Sequence, residues 1–282
     1  MSAKQRAKET RDRPIGVFDS GIGGITVLKA LRKALPHEDL VYLGDTARLP
    51  YGTKSAETVT AYATKATKHL LGHEVKMVVI ACNTASAVAL GPLKEALAPI
   101  PVIGVIEPGA KAGVKATKTG RIGVIATEAT VKGGAYARAI HAAMPEAQVA
   151  QAPCGLFVTL AEEGWTKGEV AEAAAKRYLA PLFKGRAAPD TLVLGCTHFP
   201  VLAGTIRKIV GKGVKLVDSA ATTAKAVEEA LSRQNLATAR KGKGKTRFLA
   251  TDSTERFARV GGIFFGEAIR AKDVELVDIK PD

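Results

Sequence analysis

Short segments that are apolar at every position, rather than at every other one, recur along this chain. RPIGVFDS, DLVYLGD, VKMVVIA and PVIGVI come first, each parted from the next by a helix-patterned stretch. A strand with one wet face alternates apolar and polar residues. Strands that do not alternate are covered on both faces, and helical connections between them imply a parallel sheet. The intervening helices are expected from about Gly24 to Leu35, after Ser55 as N-cap with Thr58 three residues on, and over TASAVALGPLKEAL.

The pattern then restarts. GRIGVIATEAT, AQVAQAPC, TLVLGC and VKLVDSA read as strands with their turns. VKGGAYARAIHAA, residues 155 to 183 with a break near Gly164, FPVLAGTIRKIV with Pro200 near its start, and TAKAVEEALSR read as helices. KTRFLATD and VELVDI finish the chain. The expected fold is α/β, with two similar doubly wound parallel-sheet units. In each, the third strand ends on a cysteine and polar companions: Cys82-Asn83-Thr84 in one, Cys196-Thr197-His198 in the other. Ligands of open α/β sheets bind beyond the carboxyl ends of the strands. A cleft between two units would bring both cysteine turns together, and one continuous sheet would place them on a common edge.

At 282 residues with 46% hydrophobic and 5% aromatic content, the chain can bury a core built from small and aliphatic side chains. No apolar run reaches membrane-spanning length, and MSAKQRAKETRDRP has no apolar segment of a secretory signal. That leader, residues 1–13, is expected to be disordered. The 3 cysteines form no CxxC pair, which suggests free thiols in the reducing cytoplasm. The net charge of +14 is concentrated in the leader (Lys4, Arg6, Lys8, Arg11, Arg13) and in Arg240, Lys241, Lys243, Lys245 and Arg247. Such segments can hold phosphates weakly, or simply be a solvated tail and loop.

A cysteine closing an apolar strand is commonly a small buried hydrophobe, and Cys154 in QAPCGLF, without polar companions, is read so. Two thiols at matching places in matching units suggest chemistry. A thiol acts as thiolate, and a free one titrates near ~8.5, so it needs help from a helix N-terminus or a neighbouring charge. His198 is such a neighbour of Cys196. In FDSGIGG, Asp19 and Ser20 precede a glycine turn that fits neither a dinucleotide fingerprint nor a phosphate loop. They either orient a small polar ligand or form an Asx-turn. GDTARLPYGTKS offers Asp45, Tyr51 and the Gly52 amide on the same edge. Cys82, Cys196 and His198 lack the spacing and the fourth ligand of a zinc site, so no metal is expected.

Together GVFDSGIGGITVL, YLGDTARLPYGTKS, ACNTAS, GVIEPGA, ATEATVKGGAY, GCTHFPVL and VDSA resemble the glutamate racemase family of the aspartate/glutamate racemase superfamily. Related aspartate racemases usually carry Glu where this chain has His198. The resemblance implies a cofactor-independent, two-base reaction, in which Cys82 takes the α-proton of D-glutamate while Cys196 delivers one to the other face, the roles swapping for L-glutamate. It implies substrate contacts at Asp19, Ser20, Tyr51, Gly52, Asn83, Thr84, Thr197 and His198, and a carboxylate contact at Thr130. Asp19 and His198 would assist the thiols, with Asp45 and Glu162 more peripheral. It further implies D-glutamate supply for peptidoglycan and two units, 14–107 plus 218–282 and 108–217, closing on the substrate. A homodimer is the expected assembly, and a gyrase or nucleic-acid interaction through the basic segments is a secondary expectation. The rivals are an aspartate-specific relative, a nucleic-acid-binding protein, and a redox protein built on Cys82 and Cys196.

Overall fold

The computed structural model describes residues 3–279. Its strands are β1 Ile15–Asp19, β2 Leu40–Gly44, β3 Met77–Ile80, β4 Val102–Gly104, β5 Arg121–Ala126, β6 Gln148–Pro153, β7 Thr191–Gly195, β8 Lys215–Asp218, β9 Thr246–Ala250 and β10 Val274–Leu276. They form two sheets, in the orders β10-β9-β2-β1-β3-β4 and β6-β5-β7-β8, and every pairing is parallel. The chain is thus α/β with two wound sheets rather than one continuous sheet. β1, β2, β3 and β7 are buried at every position, as their unbroken apolar runs require.

The two sheets are wound alike. From β1 the chain steps to β2 on one side, then crosses to β3 and β4 on the other. From β5 it steps to β6, then crosses to β7 and β8. The reversal lies between β1 and β3 in one sheet and between β5 and β7 in the other. Those are the topological switch points where a ligand crevice opens beyond the strand ends. Asp19, Cys82 and Cys196 all stand at or just past strands that flank them.

One apolar cluster runs between the units, from Ile15, Leu28 and Phe257 on one side to Phe157, Leu194 and Phe199 on the other. Full burial of a side chain such as Phe199 is worth roughly 1.5–3 kcal/mol. Hydrogen bonds also cross the junction: Thr26 Oγ1 donates to the Thr197 carbonyl at 2.9 Å.

Several local expectations are corrected. The leader is helical over Ala3–Asp12 instead of disordered. AKQRAKETRD is rich in strong helix formers, and the end of the helix is tied down. Arg11 Nε donates to the Asn235 carbonyl at 3.1 Å, and Thr238 Oγ1 to Asp12 Oδ1 at 2.7 Å. The strand expected over PVIGVI is only Val102–Gly104, because a helix begins at Ile106. The helix expected over FPVLAGTIRKIV opens as a 3₁₀ turn, Phe199–Leu202, before the α-helix Ala203–Val210. Cys196 therefore does not stand directly at an α-helix N-terminus. Cys82 does, as the N-cap of Asn83–Val88. Ser55 caps Ala56–Leu71 by accepting from the Thr58 amide, as its spacing indicated.

Candidate active site

A cavity of about 630 Å³ opens between the strand tips of the two sheets. Ser20, Tyr51, Gly52, Cys82, Asn83 and Thr84 line it from the six-stranded side. Glu162, Cys196, Thr197 and His198 line it from the four-stranded side. The two thiols thus reach one cavity from different sheets.

Asp19, Asp45 and Thr130 do not reach the wall; each is buried behind it. Asp19 accepts from the Gly21 amide at 3.0 Å, an Asx-turn that shapes the loop carrying Ser20. Its other oxygen, Oδ1, is buried without a partner. Asp45 accepts from Tyr51 Oη at 2.6 Å, from Arg48 at 2.8 Å and from Thr251 at 2.9 Å. It holds the tyrosine in place. Thr130 closes a triangle of hydroxyls, 3.0 Å from Thr127 and 3.3 Å from Thr84, while Thr84 and Thr127 are 3.0 Å apart. Thr84 and Thr127 are the members that face the cavity.

Cys82 accepts from the Ala85 amide at 3.4 Å and donates to Ser20 Oγ at 3.3 Å. Cys196 Sγ lies 3.7 Å from His198 Nδ1. His198 Nε2 lies 3.0 Å from Glu162 Oε1, and Glu162 Oε2 accepts from Arg256 Nη2 at 2.7 Å. Asn83 Oδ1 accepts from Tyr136 Oη at 2.7 Å, while Asn83 Nδ2 is buried with no partner. An orphaned buried amide costs ~1–3 kcal/mol, so its place beside a cavity suits a ligand acceptor. Cys154 is fully buried and does not line the cavity, as its plain surroundings suggested.

The chain matches the Asp/Glu/Hydantoin racemase family over residues 21–227. It is 51% identical to the glutamate racemase of Geobacter metallireducens over 254 residues, covering 90% of this chain and 93% of the relative. Among solved structures, glutamate racemase from Francisella tularensis in complex with D-glutamate superposes with a TM-score of 0.88 at 41% identity, covering 95% of this chain and 98% of that one. The RacE1 isoform from Bacillus anthracis gives 0.90 at 37% identity, with 95% and 98% covered. The chain belongs to the glutamate racemase family.

In this racemase the two strand-end turns carry different charged neighbours, Asp19 beside Cys82 and His198 beside Cys196. Burial pushes the Cys82 thiol up to about 12, and the Asp19 carboxylate adds to the rise. Ser20 and the Ala85 amide pull the other way. Burial raises Asp19 itself above the usual carboxylate range, with His198 and the Gly21 amide offsetting part of it. Burial alone would push the His198 imidazole down. Its contacts with Cys196 and Glu162 outweigh that and hold it up at about 10, so His198 is a cation at neutral pH. That cation lies 3.7 Å from Cys196 Sγ.

Sequence reading missed four residues. Thr127 lies in ATEAT, yet only Thr130 stood out; a strand-end threonine opening the motif was the available signal. Tyr136, in KGGAY, orients Asn83, and its ring takes the space a Cβ on Gly195 would fill at 2.9 Å. That contact explains the glycine of GCTH. Tyr178, on helix Glu169–Leu179, and Arg256 also line the cavity, and neither sits in a recognisable motif.

Proposed function

We propose that this chain interconverts L-glutamate and D-glutamate through two thiol bases, supplying D-glutamate for peptidoglycan synthesis. The observation that carries this reading is the single cavity lined by Cys82 from one sheet and Cys196 from the other. An α-hydrogen beside a carboxylate is a very weak acid, and one base cannot reach both faces of a fixed Cα. A thiol on each side removes the proton from one face and returns one to the other.

In the D-to-L direction Cys82 takes the proton and Cys196 donates; in the L-to-D direction they exchange roles. The substrate ammonium offsets the anionic pair formed by Asp19 and the Cys82 thiolate. His198 supplies the cation for Cys196. Asn83 Nδ2, the Thr84, Thr127 and Thr197 hydroxyls and the Gly52 amide are the donors assigned to the carboxylates. Preorganised donors in a site closed to water stabilise the developing carbanion without reorganising. The glutamate racemase from Francisella tularensis was solved with D-glutamate, which supports that substrate over aspartate. Residues 14–107 plus 218–282 and residues 108–217 are assigned as the two units that close on it.

Polarimetry on purified protein with each enantiomer of glutamate and of aspartate tests the assignment. Loss of rotation with glutamate and not aspartate is expected; the converse would make it an aspartate enzyme. Assembly as a homodimer and a cytoplasmic location belong to the same reading, and sedimentation tests the dimer. No helix among the described residues is long and apolar enough to cross a membrane. A secondary anionic partner, nucleic acid or gyrase, is assigned to the end where the leader helix meets the basic loop. There Arg240 lies 3.7 Å from Asp12, and Arg11 bonds to Asn235. Salt-sensitive DNA binding that is lost on deleting residues 1–13 supports it, and none in the intact chain refutes it for nucleic acid.

A further inference from the structure

Arg256 lies outside every motif in the sequence. Among the described residues it is the one Lys or Arg side chain on the cavity wall. It belongs to helix Thr254–Phe265, which packs against helix Ile25–Ala34 beside the six-stranded sheet. Its partner, Glu162, ends helix Leu156–Glu162, which follows β6 of the other sheet. The 2.7 Å ion pair between them therefore spans the two units at the cavity. The guanidinium side chain is 43% exposed and the carboxylate 11%. Arg256 thus straddles the mouth while Glu162 lies inside.

The pair stands at the head of a line of contacts. Arg256 holds Glu162 Oε2, Glu162 Oε1 meets His198 Nε2 at 3.0 Å, and His198 Nδ1 meets Cys196 Sγ at 3.7 Å. We propose that Arg256 is a positioning residue, a clasp across the cleft that keeps Glu162 ionised and turned toward His198 while the two units are together. His198 is then held against Cys196 Sγ while the two units are together. This rests on the two-thiol racemase reading.

Two physical points support the clasp. A glutamate held by one oxygen alone turns freely about its last torsion, and a bond to each oxygen fixes it. Burial also opposes its charge. The charged groups facing Glu162 are His198 from the turn after β7, Arg256 from its helix, and Asp19 from the tip of β1. Asp19 repels a second carboxylate, so two cations hold one contested anion. Burial pushes Glu162 up, yet His198 and Arg256 together bring it below the usual carboxylate range. A depressed carboxylate is charged above its pKa and loses its charge as pH falls through it. Without Arg256 that loss moves to higher pH.

The test is the pH profile of racemisation for the wild type, Arg256→Gln and Arg256→Lys, with kcat and KM resolved for both enantiomers. Arg256→Gln is expected to lower kcat about tenfold, a fraction of what acid–base catalysis contributes, with a smaller effect on KM. Its acid limb moves to higher pH, and Arg256→Lys returns the limb toward the wild-type position. Wild-type kcat and limb in Arg256→Gln, or a lower rate with an unmoved limb, would overturn the clasp. Should Arg256→Gln not fold, the Glu162→Gln background decides. Arg256→Met, which carries no charge, must lower kcat in the Glu162 enzyme and leave it unaltered in Glu162→Gln; equal changes in both overturn the proposal. A wild type inactive on both enantiomers sinks the racemase reading itself, which is a different result from an active wild type indifferent to Arg256.

Discussion

His198 is held from four sides. Glu162 and Cys196 bond its two nitrogens, Phe264 packs edge-on with ring centroids 5.3 Å apart, and Gly23 presses against the ring. A Cβ built on Gly23 would lie 2.4 Å from His198 Cε1 and Nδ1 and 2.6 Å from Thr197 Oγ1. Gly23→Ala should therefore keep the fold and displace the imidazole. The expected outcome is a fall in kcat/KM on the order of 100-fold, the scale of a misplacement near 1 Å, checked by steady-state kinetics beside a melting curve. This glycine shows what the sequence could reveal. FDSGIGG marked a turn, and Asp19 and Ser20 marked its chemistry, because polar residues at the tip of an apolar strand have no role in its core. That Gly23 serves a histidine far along the chain was illegible, since the contact exists only once the two units meet. Arg256 and Tyr136 escaped for the same reason.

At the scale of elements, matched winding turns the faint echo of CNT and CTH into a structural repeat. Third-in-sequence strands β3 and β7 occupy equivalent places, next to β1 and β5 in their sheets. The strands were legible because burial on both faces leaves them no polar position. Their ends were less so: Ile106 is as apolar as Val102 yet starts a helix, and a run of apolar letters does not mark the change of period. The far end of the six-stranded sheet carries a device the sequence also concealed. Lys76, just before β3, donates to Glu38 Oε2 and to the Arg11 carbonyl, and Glu38 Oε1 accepts from the Thr238 amide at 2.8 Å. Lys76 and Glu38 are both buried. Lys76→Met strands a buried carboxylate, and chemical denaturation should show a loss of about 3–5 kcal/mol. Racemisation by the folded fraction should be unchanged, because this cluster lies at the opposite strand ends from the cavity.

For the molecule as a whole, the site's charge becomes part of its stability. His198 is raised from 6.5 to about 10 in the fold. A raised imidazole stabilises the fold fully below its unfolded value and loses that contribution as pH rises through the folded one. Stability should accordingly decline between about 6.5 and about 10, by an amount on the order of a few kcal/mol. His198→Asn should flatten that decline in urea melts taken across the window. The sharing of one apolar cluster by both units favours their unfolding together in each case.

The central claim, that two thiols serve opposite faces of one carbon, is met most directly by following α-hydrogen exchange in D₂O. Pure L- and D-glutamate would be incubated separately with wild type, Cys82→Ala and Cys196→Ala under reducing conditions, with no cofactor added, and the α-proton signal and optical rotation read together. The account predicts loss of rotation with deuterium at Cα in the wild type, and racemisation abolished by either substitution in a folded protein. Racemisation that persists without one of the two cysteines would contradict it.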